Sequence, residues 1–192
     1  MESLKTSIKS WFANLESFLT KREEQFMIGI SDKTEVSYGW EDDINKEYCN
    51  SHNIPHYFMN RNGGTIVHFK DNIALVWIYN NRIYKKLMFV ALIQDLAEHL
   101  KEKGLNVELQ GNDILVDGFK VASCHSYNLA PDYTWTYEGM QISMNVDLDI
   151  IKNVCKKEMK KVPKGLQEYN ITTNEIVEFI ENWIDKEKIN NG

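Results

Sequence analysis

The dipeptide Asp117-Gly118 lies between two short runs in which apolar and polar residues alternate. A two-residue hairpin loop of type I′ needs positive φ at both central positions, and Asp-Gly adopts them readily. The turn fixes the register of the two strands and therefore the face on which each side chain lies. The predicted pairs are Val116 with Phe119, Leu115 with Lys120, Ile114 with Val121, and Asp113 with Ala122. This register makes Asp113 and Lys120 diagonal neighbours on one sheet face, where they would touch or hold a charged ligand between them.

The composition of the chain is that of one globular domain. Hydrophobic residues make up 43% and charged residues 26% of its 192 residues, with only three prolines. Such a chain can bury a core and is too evenly composed for disorder, so we expect a single domain over residues 1–192. The formal net charge of −6 argues against a nucleic-acid partner, although a local basic strip could still dock an acidic protein.

The cysteines and the apolar runs indicate a soluble, cytoplasmic protein. Cys49, Cys124 and Cys155 are odd in number and widely spaced, which is typical of reduced thiols rather than of disulfides or a zinc site. The longest strictly apolar run, Ile73 to Tyr79, is far shorter than the roughly 20 residues of a membrane helix. Because the N-terminus also lacks the apolar core of a signal peptide, we expect no membrane partner and no secretion.

The spacing of apolar residues predicts an α+β fold. The continuous run from Ile73 to Tyr79 indicates a central strand covered on both faces. Thr172 and Glu175 form a capping box before a last amphipathic helix. The other predicted strands span residues 26–30, 35–40, 56–60 and 65–69 and a stretch around 142–146, and the other predicted helices span residues 3–20, 41–53 and 88–100 and a stretch after Asp147. Mostly hairpin-linked strands with interleaved helices are typical of this class.

The sequence Arg61-Asn62-Gly63-Gly64 separates two predicted strands. Asn-Gly and Gly-Gly are turn dipeptides, so one interpretation is a hairpin turn. A glycine pair also lets main-chain N–H groups approach an anionic ligand, and Arg61 would add a bidentate partner for its oxygens. Both interpretations use the same local backbone, and the residues alone leave both open.

Lysines are concentrated in one part of this acidic chain. They are Lys152, Lys156, Lys157, Lys160, Lys161 and Lys164. Such a run either forms a solvated face or docks an acidic partner. A second candidate, the adjacent pair Cys124 and His125, lies in a predicted strand, where neighbouring side chains point to opposite faces. These two residues therefore do not form a thiol–imidazole pair.

Several motifs together resemble the lipoate-protein ligase family, which shares its catalytic fold with biotin ligases. Asn112-Asp113 followed by Asp117-Gly118-Phe119-Lys120-Val121 resembles the family's Arg-Asn-Asp … Asp-Gly-x-Lys-Ile-Ser-Gly segment. Residues 61–64 and the strand after them resemble its Arg-Arg-x-Ser-Gly-Gly-Gly-Ala-Val-x-His segment. The further matches are Tyr38-Gly39-Trp40, Glu138-Gly139, Val146-Asp147-Leu148 and Lys161 to Lys164. Their common order, over nearly the whole chain, is more specific than any one of them.

The resemblance implies a mixed, mostly antiparallel sheet packed with helices. It also implies an enzyme that activates lipoate or octanoate with ATP and transfers the acyl group to a lysine of an acidic lipoyl carrier domain. That domain would dock on Lys156, Lys157, Lys160, Lys161 and Lys164 of the lysine-rich stretch. Lys120 would be the catalytic residue, and Asp113 would help to hold magnesium. The residues implied to bind the acid and the adenylate are Arg61, Gly63, Gly64, Thr65, His68, Asn112 and Asp113. The chain ends where the family's catalytic domain ends, so we expect no accessory domain.

The chain departs from the family pattern in four places. One arginine of the glycine motif is missing, and Thr65 stands at its third glycine. Gly111 replaces the arginine before Asn-Asp, and Ala122-Ser123 replace the family's Ser-Gly. These departures keep two alternatives open. One is a non-catalytic binding protein that retains the fold, and the other is an ATP-independent acyltransferase that carries the acyl group on a thiol.

Overall fold

A computed structural model describes residues 4–6, 24–59, 64–84, 87–129 and 133–191. The strands are β1 (Leu4–Thr6), β2 (Gln25–Ser31), β3 (Glu35–Tyr38), β4 (His56–Phe58), β5 (Ile66–His68), β6 (Ile73–Asn80), β7 (Val107–Gln110), β8 (Asp113–Val116), β9 (Phe119–Leu129) and β10 (Trp135–Ile142). The α-helices of the described residues are α1 (Lys46–Ser51), α2 (Met88–Glu102), α3 (Leu148–Val154) and α4 (Thr173–Asn191).

Seven strands form the larger sheet, in the order β1-β2-β6-β10-β9-β8-β7. Its neighbours are antiparallel except for β1 and β2, which run parallel. Strand β6 is buried from Ile73 to Tyr79, as its continuous apolar sequence predicts. The structure therefore confirms the predicted α+β class and the mixed, mostly antiparallel sheet.

The smaller sheet has the order β4-β3-β5, with β3 parallel to β4 and antiparallel to β5. The predicted hairpin between residues 56–60 and 65–69 is wrong, because both strands pair with β3 rather than with each other. The two strands are therefore the opposite edges of a three-stranded sheet. A local turn signal cannot reveal that an earlier strand lies between them.

The main core lies between the larger sheet and helices α2 and α4. Leu92 and Leu96 of α2 and Ile180 of α4 are fully buried there. Complete burial of an aliphatic side chain of this size contributes about 1.5–3 kcal/mol, so apolar contacts hold both helices on the sheet. Within the described part of the chain, no helix combines the length and apolarity that crossing a membrane requires.

A second core joins the smaller sheet to α1 and α3. Val36, Ile44, Cys49 and Val154 are buried in it. The Asn45 N–H donates to the Val154 carbonyl oxygen at 2.7 Å, so the loop before α1 is attached to the end of α3. This attachment holds the chain after α3 close to the edge of the smaller sheet.

One buried carboxylate lies on the helix-covered face of the larger sheet. Glu138 in β10 is fully buried, and its Oε2 accepts a hydrogen bond from the Phe89 N–H at 2.5 Å. This contact caps α2, whose N-terminal residue makes no side-chain capping bond. Burial raises the pKa of Glu138 to about 7, although the Phe89 N–H and the Tyr79 hydroxyl oppose the shift.

Several predicted boundaries need correction. Residues 41–43 precede α1 instead of forming its first turn, because Asn45 caps that helix by accepting from the Tyr48 N–H at 3.1 Å. The strand predicted around residues 142–146 ends at Ile142. Residues 4–6 form β1 where a helix was predicted over residues 3–20, and the rest of that stretch lies outside the described residues. The caps at Asp147 and Thr172 are confirmed.

The Asp117-Gly118 hairpin is confirmed, with φ of 52° and 81° at its two turn residues. Val116 pairs with Phe119 and Leu115 with Lys120, as predicted, but the next pairs are Ile114 with Ala122 and Asp113 with Ser123. The two predicted pairs beyond Leu115 are wrong because Val121 is an extra residue that forms a β-bulge. Lys120 lies on the face of Asp113, as the regular register also predicts, and the bulge adds Ser123 to that face by pairing it with Asp113.

Candidate active site

A cleft of about 330 Å³ lies between the larger sheet, β5 and the chain that follows α3. This volume is at the lower end of the roughly 300–1,000 Å³ of small-molecule sites. Apolar lining is provided by Ile66, Val67, Phe69, Val146, Ile151 and Met159. Polar lining is provided by Thr65, Lys120, Ser123, Gln141, Ser143 and Lys161. The cleft therefore combines a surface for a hydrocarbon chain with polar groups that can orient a head group.

Two lysines share one carboxylate at the cleft. The Lys120 Nζ lies 3.1 Å from Asp113 Oδ1, and the Lys161 Nζ donates to Asp113 Oδ2 at 2.7 Å. Asp113 is 19% exposed, and the two lysine side chains are 35% and 30% exposed. One carboxylate neutralises one ammonium, so the three residues together carry one excess positive charge. This arrangement is suited to an anionic ligand.

The main chain holds both lysines in place. The Lys120 N–H donates to the Val162 carbonyl oxygen at 2.9 Å, and the Lys164 N–H donates to the Lys120 carbonyl oxygen at 3.0 Å. Residues 160–164, which we call the lysine segment, therefore run alongside the start of β9. Lys164 contacts the rings of Phe119 and Tyr169 with its ammonium group, at 5.3 and 4.3 Å from their centroids. These contacts hold the middle and the C-terminal end of the segment that carries Lys161.

The opposite edge of the cleft is organised by Asp43. Its Oδ1 accepts from the Thr65 hydroxyl at 2.6 Å, and its carbonyl oxygen accepts from the Lys156 N–H at 2.8 Å. A Cβ atom added to Gly64 would lie 2.5 Å from Asp43 Oδ2. A side chain at position 64 would therefore force the Asp43 carboxylate or the backbone to shift. Asp43 joins the end of the glycine motif to the chain after α3.

The structure brings together only part of the predicted site. Lys120 and Thr65 line the cleft. Asn112 is exposed in the turn before β8, and its carbonyl oxygen accepts from the Cys124 N–H at 2.9 Å. His68 is buried in the smaller sheet, where its Nε2 lies 3.0 Å from the Ser37 hydroxyl. Arg61 and Gly63 lie outside the described residues.

Cys155 is the cysteine that lines the cleft. Burial raises the pKa of its thiol to about 11, and the nearby Asp43 carboxylate adds to the shift. The thiol is therefore protonated near neutral pH, whereas a thiolate is the nucleophile in acyl transfer. The other candidate thiol, Cys124, is buried in the main core, and its pKa is also raised to about 11.

The donor set does not fit a magnesium ion held by Asp113. Both of its oxygens already contact ammonium groups, and a divalent cation placed there would be repelled by two positive charges. Magnesium also prefers near-octahedral oxygen ligands at about 2.0–2.1 Å. Across the described residues, no three or more His, Cys, Asp or Glu side chains cluster so that they could hold a metal. The residues fit an anion better than a cation.

Sequence reasoning missed the contributions of Lys161, Ser123 and Asp43 to this cleft. Lys161 and Asp113 are 48 positions apart, and no periodicity in the sequence links them. Ser123 reaches the cleft because of the bulge, which the alternation of residues does not reveal. The acidic run that contains Asp43 is typical of a helix N-terminus, and that pattern hid its role in the loop.

Comparison with known proteins identifies a family that fits this geometry. The family model for the lipoyl protein ligase A/B catalytic domain matches residues 4–190. Lipoate–protein ligase 1 of Staphylococcus aureus is 24% identical over 149 residues, which are 77% of this chain and 44% of the relative. The chain thus matches less than half the length of that curated relative.

Three solved structures show the same fold. P. falciparum LipL1 in complex with lipoate has a TM-score of 0.76 and 15% identity, over 99% of this chain and 62% of its own. A lipoate-protein ligase A bound with ATP has a TM-score of 0.73 and 14% identity, over 97% and 85% of the two chains. A bipartite lipoate protein ligase from Thermoplasma acidophilum, analysed with its E2 lipoyl domain, has a TM-score of 0.73 and 12% identity, over 96% and 81%. The chain belongs to the lipoyl protein ligase A/B catalytic-domain family.

Proposed function

We propose that the protein activates lipoate or octanoate with ATP and transfers the acyl group to a lysine of a lipoyl carrier domain. The observation that carries this proposal is the position of Lys120, which matches the family's lysine and lines a partly apolar cleft beside Asp113 and Lys161. Solved relatives bound to lipoate and to ATP support the choice of substrates. The lipoyl domain analysed with the T. acidophilum ligase supports the choice of acceptor.

Lys120 can assist the first step electrostatically. In that step a carboxylate oxygen of the acid bonds to the α-phosphorus of ATP, and pyrophosphate leaves with the electrons of the broken P–O bond. Negative charge gathers on the phosphoryl oxygens in the transition state, so a cation fixed beside them lowers the barrier. Asp113 and the main chain of the lysine segment hold Lys120 in place before substrate arrives, which reduces the cost of reorganisation.

The apolar wall of the cleft supports a medium-chain acid as substrate. Phe69 and Val67 are buried at the end of β5, and Ile151 faces them from α3. An acyl chain against these residues would leave its carboxylate near the lysines on the polar side. Apolar contacts are nondirectional and discriminate weakly between apolar chains of similar size. Lipoate has the eight-carbon chain of octanoate and adds a dithiolane ring, so both acids are reasonable substrates.

The second step transfers the acyl group from the adenylate to the carrier. The neutral amine of the acceptor lysine attacks the acyl carbon, AMP leaves with the electrons of the broken C–O bond, and the amine loses one proton. The chain's role would be to hold the phosphoryl group between its lysines while the acyl carbon remains accessible. No metal-dependent step is assigned, since Asp113 does not fit a metal ligand.

An ATP-independent transferase is the second candidate, because Cys155 lines the cleft. In that reaction the thiolate would attack the acyl carbon of a thioester donor, the donor's thiolate would leave, and the acyl group would remain on Cys155 as a thioester. The raised pKa of Cys155 disfavours the thiolate and therefore favours the ligase. Cys155→Ser separates the two, because it would abolish the thioester route and leave ATP-dependent activity largely intact.

The proposal is tested by measuring pyrophosphate release with each acid and acyl transfer to a lipoyl domain, with ATP present or omitted. We expect both reactions to require ATP. A rise in the unfolding midpoint with acid and ATP together would report ligand binding independently of turnover. Binding without pyrophosphate release would favour the non-catalytic alternative, and transfer without ATP would favour the transferase.

A further inference from the structure

We propose that Lys161 is a second anion-binding residue of the cleft, so that a phosphoryl group is held between two lysines carried by separate parts of the chain. Lys120 lies on β9, and Lys161 lies on the lysine segment after α3. The proposal that Lys161 binds an anion does not depend on the ligase function. The identity of the bound anion as the phosphoryl group of an adenylate does rest on that function.

The two lysines have more hydrogen-bond donors than Asp113 can satisfy. Each lysine ammonium has three N–H donors, and Asp113 offers one oxygen to each ammonium. Lys161 also has a longer contact, 3.5 Å, to the Gln110 carbonyl oxygen. The donors that remain on the two ammonium groups can turn toward a ligand in the cleft. A phosphoryl group presents several oxygens and can therefore contact both lysines at once.

Both lysines are only partly accessible to solvent. Their side chains are 35% and 30% exposed, whereas Lys157, which pairs with Glu41, is 60% exposed. Charged contacts in a partly desolvated cleft are screened less by salt than those on an open surface. A ligand anion at this position would therefore gain more from each lysine than it would on the outer face of the lysine-rich stretch.

Asp113 acts as an internal counter-ion and not as a metal ligand. Without it, two ammonium groups on the same side of the cleft would lie close together and repel. With it, both are held near positions where an oxyanion can reach them. The main-chain bonds of Lys120 and Lys164 keep the lysine segment in register with β9. Asp113 is therefore a positioning residue for both cations.

Direct binding of AMP and of inorganic pyrophosphate to the full chain, measured by calorimetry, tests the inference. Lys161→Ala should weaken AMP binding roughly 10- to 100-fold, the usual loss for one charge-assisted hydrogen bond. Octanoate measured alone separates a phosphate site from a carboxylate site. Lys160→Ala is the matched control, because Lys160 is the exposed neighbour on the same segment, and it should leave the affinity unchanged.

A purely structural role for Lys161 would lower the unfolding midpoint and leave the AMP affinity of the folded protein unchanged, which would overturn the inference. Lys161→Arg, which keeps the charge, should restore most of the affinity. Equal affinities for Lys161→Ala and Lys160→Ala would also overturn it, whatever the catalytic activity. Loss of AMP binding in Lys161→Ala, in a protein that releases no pyrophosphate, would support the anion site and count against the ligase function.

Discussion

The two sides of the cleft differ in how the chain builds them. The Lys120 side is a hairpin whose residues are close in sequence, so that turn chemistry alone predicts its two innermost pairs. The Thr65 side depends on Asp43, which is 22 positions away and reaches it from another loop. Local patterns therefore identify the hairpin with Lys120 and Asp113, whereas only the folded chain reveals the contributions of Lys161 and Asp43.

The same difference predicts what each side does. Lys120 and Lys161 bring charge that a substrate anion can use. Asp43 brings a carboxylate that fixes the end of the glycine motif through Thr65. Changes on the lysine side should therefore affect the chemistry, and changes on the Asp43 side should affect the stability of the fold.

The largest expected effect is on the lysine side. Lys120→Ala should slow acyl-adenylate formation roughly a hundred- to a thousand-fold, since removal of one preorganised donor costs about 3–4 kcal/mol in the transition state. Stability should change little, because a partly exposed ion pair contributes at most about 1 kcal/mol. Pyrophosphate release and the unfolding midpoint are the two measurements. Thr65→Ala on the other side should slow the reaction far less, and equal losses would remove the distinction between the two sides.

Stability near neutral pH should depend mainly on a group outside the cleft. The pKa of Glu138 is about 7 in the folded chain, against an ordinary value of 4.5. The folded state then holds more protons than the unfolded state between these values, so stability falls as pH rises from about 4.5 to 7. The difference corresponds to roughly 3 kcal/mol.

Glu138→Gln should remove this pH dependence. The glutamine carbonyl can still accept from the Phe89 N–H, but it has no proton to lose. We expect the variant to be more stable than the parent at pH 8 and similar to it at pH 5, as measured by denaturant unfolding. A pH dependence that survives the substitution would mean that other groups, including those of the cleft, control stability in this range.

The Asp43 side should respond to packing. Gly64→Ala introduces a Cβ that would lie 2.5 Å from Asp43 Oδ2. Overpacking of this kind typically lowers the free energy of unfolding by about 1–3 kcal/mol. If Asp43 is the cause, Gly64→Ala should cost much less in a protein that already carries Asp43→Ala. A double-mutant cycle of unfolding free energies measures this coupling. Additive losses would show that the strain lies elsewhere.

A bulkier substitution at Gly64 tests whether the glycine motif also meets the ligand. Gly64→Val should weaken acyl-adenylate binding by more than it lowers stability, if the main-chain N–H groups of this motif approach the phosphate closely. The affinity of a nonhydrolysable acyl-adenylate analogue and the free energy of unfolding are compared in the same variant. Lower stability with unchanged affinity would limit the motif to a structural role.

The sequence predicts the features that form within short stretches of the chain, and it does not predict those that join distant segments. The α+β class, the central strand β6, the caps at Asp147 and Thr172, and the contact between Asp113 and Lys120 are confirmed. These features arise from periodicity, capping and turn chemistry within short windows. The insertion of β3 between β4 and β5, and the approach of Lys161 to Asp113, arise from the packing of distant segments. Short-range patterns carry no information about such contacts.

The lysine-rich stretch shows why charge composition alone predicts a surface poorly. Lys161 faces the cleft, Lys164 contacts two aromatic rings, and Lys157 pairs with Glu41. Lys156 and Lys160 are exposed, and they are the better candidates for docking an acidic carrier domain. The proposed docking surface is therefore smaller than the sequence implies, and it lies outside the cleft.

The smallest expected effect concerns this docking surface. Lys156→Glu with Lys160→Glu should slow acyl transfer to an acidic lipoyl domain roughly 10-fold at low salt, because electrostatic steering raises association rates. Adenylate formation should remain unchanged, since neither residue lines the cleft. Arg82→Glu with Lys186→Glu, two exposed positions elsewhere, gives the same change in net charge and should leave both steps unchanged. Transfer rates are measured at low and at high salt. The two pairs of substitutions should differ at low salt and become alike at high salt, because salt screens exposed charges. Equal slowing of acyl transfer by both pairs of substitutions would mean that the effect comes from net charge alone. Slowing of adenylate formation by Lys156→Glu with Lys160→Glu would mean that the exposed lysines contribute to the chemistry, as the lysines that face the cleft are proposed to do.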